Sequence, residues 1–279
     1  MDQRSFSFLE HFRWTEPARP APTWADCHAF ISARRARHAD DVVRIEGFLA
    51  KSDVDLEELG RDPLRESWTA FRPLSLAREE GWSDWLAHLI ATSKTGAFAH
   101  AILGADLRRD AFANKPSVKR EWTLPGGYRA DLGVPVDDGS WIHVEVKIGD
   151  QDLKKTVDTG EAMREWVRPS TVRDVLLLPR ADLDLWKDIL EAIDTAQPRR
   201  AQLTRAISVI DWHKVASALR SALTEADEPV TWRVFARTFC GAVEQLLLGL
   251  PQIHVKGGLG ALSLYELEAV VEHKAALTP

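Results

Sequence analysis

The sequence predicts an α/β fold in which a mixed β-sheet is flanked by helices, and three observations carry that expectation. Three short β-rich segments lie between residues 118 and 148, separated only by turn residues. Downstream, strand-like runs alternate with helical patterns, which requires crossover connections and parallel pairing. Helical patterns also occupy the first seventy residues and the stretch from Thr231 onward, so helical additions are expected at both ends of the core.

The elements follow in order. WADCHAFISARRARHADDVVRIEGFLA (24–50) and the acidic DVDLEELGRD have helical patterning, after an irregular start marked by Pro17, Pro20 and Pro22. Residues 76–92 place Trp82, Trp85, Leu86, Leu89 and Ile90 at three- and four-residue spacings, which predicts an amphipathic helix resting on the sheet. The strands VKREWTL (118–124), YRADLGVPV (128–136) and WIHVEVKI (141–148) are joined by the turn signals PGG and DDGS and form an antiparallel meander. A helix from Asp152 to Val167 leads to the strand DVLLLP (174–179), a helix over 181–194, the strand AISVID (206–211) and the helix WHKVASALRSAL. PQIHVKGGLG interrupts the final helical stretch; its KGGLG lacks the spacing of a phosphate-binding loop. The expected division is a helical region over 1–72, a core over 73–228 and a helical region over 229–279 packed on that core.

Composition narrows the function classes. The chain has 279 residues, 45% of them hydrophobic and 28% charged, and its longest apolar runs fall short of the ~18–20 residues that cross a bilayer. The opening MDQRSFSFLEHFRW carries an acid at position 2 and no continuous apolar segment, so a cytoplasmic protein without membrane contact is expected. Cys27 and Cys240 are isolated, which gives no support to a zinc site or a disulfide framework. A net charge of −6 argues against coating nucleic acid by bulk charge, yet leaves room for a basic cleft.

Chemistry concentrates in WIHVEVKI. Side chains alternate along a strand, so Trp141, His143, Glu145 and Lys147 share one face while Ile142, Val144, Val146 and Ile148 share the other. The DDGS turn folds the preceding strand alongside and brings Asp131 near Glu145 and Lys147. Two carboxylates on adjacent strands, with a peptide carbonyl close by, make an oxygen-rich site suited to Mg²⁺ or Mn²⁺. A lysine beside them can hold water or stabilise a pentavalent phosphate. His143, on the same face, reads as a partly exposed sheet histidine, with contact to phosphate or water as the alternative. Trp122 and Tyr128 border the strands and read as core or rim residues, with base stacking as the rarer use. Arg34, Arg35, Arg37, Arg108 and Arg109 either track a phosphate backbone or form solvated helix faces.

Asp131, followed after thirteen residues by Glu145-Val146-Lys147, resembles the signature of the PD-(D/E)XK nuclease superfamily. A large bacterial branch carries E-x-x-x-S-x-x-L-A-x-L-L upstream, matched in order by Glu79, Ser83, Leu86, Ala87, Leu89 and Ile90, and then a small-residue and aromatic stretch like TGAF at 95–98. The likeness spans about residues 76–165. It implies a restriction-endonuclease-like core and a Mg²⁺-dependent (or Mn²⁺-dependent) nuclease. Asp131, Glu145, Glu79 and the Val146 carbonyl would bind metal, and Lys147 would be the catalytic lysine. Glu80 competes with Glu79, since about 100° of helix rotation separates neighbours. Gln151 and His143 are possible accessories. Ala130 stands where the pattern has Pro, and GDQDLKKT offers Gln151 only at the start of the next helix.

The resemblance favours DNA as substrate, with RNA open, and a role in defence against foreign DNA, as a homodimer or with a protein partner. The rival from another class is a catalytically silent nucleic-acid-binding or assembly subunit of a defence complex that retains the fold.

Overall fold

The structure, a computed structural model, describes residues 23–66, 68, 78–104, 106–113, 117–136, 138–149, 154–168, 170–188, 206–224, 227–253, 262–272 and 274. Its contacts form two units, Met1–Val43 and Arg44–Pro279. The described part of the first belongs to helix α1 (Trp24–Asp55). Thr23 and Asp26 start this helix with a reciprocal cap: Asp26 N–H donates to Thr23 Oγ1 at 3.2 Å, and Thr23 N–H donates to the Asp26 carboxylate at 2.8 Å.

The second unit is built on a five-stranded mixed sheet flanked by helices. Strands β1 (Lys119–Thr123), β2 (Arg129–Pro135), β3 (Trp141–Val146), β4 (Val172–Leu178) and β5 (Ser208–Asp211) lie in chain order. The first two pairings are antiparallel and the last two parallel. The turn residues act as expected: Pro125–Gly127 closes one hairpin with Leu124 N–H on Tyr128 O at 2.8 Å, and Val136 N–H reaches Ser140 O at 2.9 Å in the other.

Helices α2 (Glu79–Thr92) and α3 (Ala97–Leu103) precede the sheet, and α4 (Lys154–Trp166) links β3 to β4. A short helical segment at 183–188 follows β4. Then come α5 (Trp212–Leu223), α6 (Val230–Ala242), which runs into a π-helical turn over Val243–Leu247, and α7 (Leu264–Glu272).

Several bounds differ from expectation for physical reasons. The strand expected over 141–148 ends at Val146: Lys147 N–H still donates to Leu177 O at 2.8 Å, but its own carbonyl accepts the Trp212 indole N–H at 2.9 Å and leaves the ladder. β4 starts at Val172, which puts Asp174 inside the strand rather than at its head. The helix expected over 181–194 opens with a 3₁₀ turn, Arg180–Asp182, and its residues 189–194 lie outside the described residues, as does KGGLG.

Both faces of the central strands are buried. Helix α4 covers the face that carries His143 and Asp174, because Gly160 meets Asp174 and Met163 meets Gly133 and Trp122. Helix α2 packs against β1, β2 and β3, and its Trp82 joins an aromatic cluster with Trp212 (5.3 Å) and Phe239 (5.7 Å). Glu228 fixes the bend between α2 and α3, accepting from Ser93 Oγ and Thr95 Oγ1, both at 2.5 Å, and from Lys94 N–H at 2.9 Å. In that bend Gly96 lies so close to Phe112 that a Cβ would stand 2.6 Å from its carbonyl carbon. Arg220 of α5 is buried between Asp62 and Glu244, at 2.7 and 2.5 Å. Among the described residues no helix is long and apolar enough to cross a membrane.

Candidate functional site

At the C-terminal end of β3 the sheet and the first turn of α2 meet. The hairpin register pairs Leu132 with Val144, so the next step along each strand sets Asp131 beside Glu145. Asp131 Oδ2 accepts the backbone N–H of Val146 at 2.8 Å. From α2, Glu79 Oε1 accepts the Ile148 N–H at 3.1 Å, and Oε2 stands 3.5 Å from Lys147 Nζ. Lys147 Nζ lies 3.1 Å from Glu145 Oε1. Glu79, Asp131, Glu145 and Lys147 thus form one cluster, and Glu145 and Lys147 are each only 6% exposed.

Glu80 points elsewhere. It is half-exposed and lies 3.9 Å from Arg129, which also pairs with Glu121. Between the two helix acids, the cluster takes Glu79. Val146 takes part through its N–H, and its side chain is core. Gln151 lies outside the described residues.

His143 departs from the expected partly exposed histidine. It is completely buried, and its Nδ1 bonds Asp174 Oδ1 at 2.9 Å across the parallel pairing that sets the two residues side by side. Asp174 also pairs with Arg164 of α4. Trp122 packs on Trp141 at 4.8 Å, while Tyr128 is 40% exposed. Arg108 pairs with Asp110 on the surface, and Arg34, Arg35 and Arg37 lie on exposed turns of α1.

The electrostatics follow from three acids facing one lysine in a buried place. Burial, and then the charge of Glu145, push the Asp131 carboxyl up to about 7. Burial would raise Glu145 as well, but the neighbouring His143 imidazole and the Lys147 charge outweigh that and lower it. Burial works against the Lys147 charge, yet Glu145 and Glu79 more than offset it and raise its pKa.

The donor chemistry fits a hard dication. Every side-chain donor is a carboxylate oxygen, the acids outnumber the lysine, and Glu145 Oε2 is buried without a hydrogen-bond partner. Even so, among the described residues no three His, Cys, Asp or Glu side chains are gathered into a ready cage. Backbone N–H groups and Lys147 hold the three carboxylates instead. A separate cavity of about 450 Å³ lies between the β1–β2 turn and α4, lined by Tyr128, Glu161, Arg164 and Arg168 among others, and none of the cluster residues lines it.

The residues that sequence reasoning missed are Asp174, Arg164, Gly160 and Trp212. The visible signal was an acid embedded in the apolar run VRDVLLLP. Its partner could not be read, because the parallel register that selects His143 is set 31 residues away. No protein-family model matches the chain, and no curated protein or solved structure matches it either.

Proposed function

We propose that the chain is a divalent-metal-dependent nuclease with a restriction-endonuclease-like core, acting on nucleic acid and most readily on DNA. The observation that carries this reading is the cluster of Glu79, Asp131 and Glu145 around Lys147 at the end of β3. In this reading the two strand acids, the helix acid and the Val146 carbonyl hold Mg²⁺ or Mn²⁺. An ion held there would supply an acidified water and offset phosphate charge.

The chain's own residues do the rest. Lys147 stays protonated between two carboxylates, so it serves as a cation and hydrogen-bond donor for a phosphate oxygen or the attacking water. It does not serve as a base. Asp131, whose carboxyl burial and the Glu145 charge push up to about 7, would hold a cation as the carboxylate. The supports are the order of helix, three strands and helix, together with the convergence of residues from two strands and one helix turn. A cytoplasmic role in defence against foreign DNA, as a homodimer or with a protein partner, is the extension of this reading.

The hold that Lys147 and the Val146 and Ile148 N–H groups already have on the three carboxylates favours a second reading: a silent subunit that binds nucleic acid or assembles a complex. Purified protein should degrade plasmid, linear duplex, single strands or RNA with Mg²⁺ or Mn²⁺, and EDTA should stop it. Glu145→Ala and Lys147→Ala should lower the rate at least ~100-fold, the scale of a lost charge-stabilising group, while Glu80→Ala should leave it near wild type. Cleavage by Lys147→Ala at the wild-type rate would overturn the nuclease reading.

A further inference from the structure

The two oxygens of Glu145 face different neighbours. Oε1 lies 3.1 Å from Lys147 Nζ, whereas Oε2 lies 3.7 Å from His143 Nε2. Both Oε2 and Nε2 are sealed from solvent and have no hydrogen-bond partner. A gap of this size closes with a movement of roughly 0.7 Å, the distance to ordinary hydrogen-bond length. Hydrogen bonds in unloaded active sites are commonly long in this way and tighten on loading.

The far side of the imidazole is firmly held. Nδ1–H donates to Asp174 Oδ1 at 2.9 Å, and the other Asp174 oxygen is paired with Arg164. Gly160 makes this possible: a Cβ there would stand 2.4 Å from Asp174 Oδ1, so only glycine lets α4 cover the carboxylate. The result is a polar chain from Arg164 through Asp174 and His143 to Glu145, on strands whose other residues are mostly aliphatic. Two apolar side chains would fill the His143 and Asp174 positions at lower desolvation cost. A purely structural pair also needs no free ring nitrogen aimed at a carboxylate.

We infer that His143 is a positioning residue for Glu145: Asp174 and Arg164 orient its ring, and, with both ring nitrogens carrying hydrogen between the two carboxylates, Nε2–H anchors Oε2, so that Oε1 is presented with Lys147 at the open end of β3. This rests on Glu145 being a metal ligand. Carboxylate ligands are commonly fixed by outer partners whose loss weakens metal binding 10–100-fold.

Asparagine and glutamine separate the two ends of the ring. His143→Asn keeps a donor near Nδ1 for Asp174 but removes Nε2. His143→Gln reaches toward Glu145 and abandons Asp174. Free Mn²⁺ is followed by electron paramagnetic resonance in the full chain, with urea midpoints as a folding control. His143→Asn and His143→Ala should weaken Mn²⁺ binding at least ~10-fold, and His143→Gln should remain within ~3-fold of wild type. Asp174→Asn should weaken binding by an intermediate factor, and it decides the matter if the His143 variants fail to fold.

Metal-free protein supplies the independent readout: the ¹⁵N resonance of His143 Nε2 should shift in Glu145→Gln. Wild-type affinity in His143→Asn, or an unmoved resonance, overturns the inference. If the resonance moves but the wild type binds no Mn²⁺, the nuclease reading fails and the anchoring of Glu145 stands. If Mn²⁺ binds and Glu145→Gln abolishes binding while His143→Asn does not change it, only the positioning role falls.

Discussion

Asp131 sits in an environment that resists its charge, and this has a consequence for stability apart from any reaction. Its carboxyl titrates at about 7 in the folded chain, against an ordinary value of 3.8. The unfolded chain therefore releases this proton first as the pH rises. The stability tied to Asp131 is fully present below pH ~4 and is lost as the pH climbs through 7. Asp131→Asn keeps an oxygen for the Val146 N–H and removes the charge. It should match the wild type in urea titrations at pH 4 and exceed it by about 2–4 kcal/mol at pH 8, the scale of a three-unit shift reduced for coupling to Glu145. Equal stability at pH 8 would contradict the buried, crowded carboxyl described above. At this scale the sequence was readable wherever alternation along a strand decides: Asp131, Glu145 and Lys147 fall together because each lies an even number of residues from its neighbours on one face. It was unreadable where a helix's rotation decides. Glu79 and Glu80 are adjacent acids, and only the way Trp82, Leu86 and Ile90 dock turns the first toward Lys147 and leaves the second with Arg129.

At the scale of elements, α4 is seated by a missing side chain. On an open helix surface Gly→Ala gains about 1 kcal/mol. At Gly160 the added methyl would collide with Asp174, which is locked between His143 and Arg164 and cannot swing aside. Gly160→Ala should therefore lose about 1–3 kcal/mol, the usual cost of overpacking, as a lower urea midpoint with an unchanged slope. The meander was legible because PGG and DDGS punctuate runs of period two. The end of β3 was not, because a tryptophan 65 residues further on takes the Lys147 carbonyl. Nor was the burial of His143 legible, since it depends on which residue of β4 comes to lie opposite it.

Across the whole second unit, one arginine ties segments that are distant in sequence. Arg220 bonds Asp62, which caps the 3₁₀ turn Pro63–Arg65, and Glu244 in the π-helical turn after α6. Removing the cation strands two buried acids, so Arg220→Ala should cost about 3–5 kcal/mol. Burial raises the Glu244 pKa despite Arg220, Asp62 still pairs with the guanidinium, and a glutamine oxygen can still accept from Nε, so Glu244→Gln should cost less; thermal melts of the two variants test the order. The strand order carries a different consequence, one of timing. β1, β2 and β3 are sequential hairpins, whereas β4 and β5 join only after long crossovers, and Glu79 comes from a helix well upstream. Local contacts close sooner than distant ones. During refolding, Asp131 and Glu145 should meet early in the nascent hairpins, while Lys147 waits for Glu79 and His143 for Asp174. Pulse-labelled amide exchange should protect Val144 before Leu177, and for that interval the chain holds two converging carboxylates without their helix and strand partners.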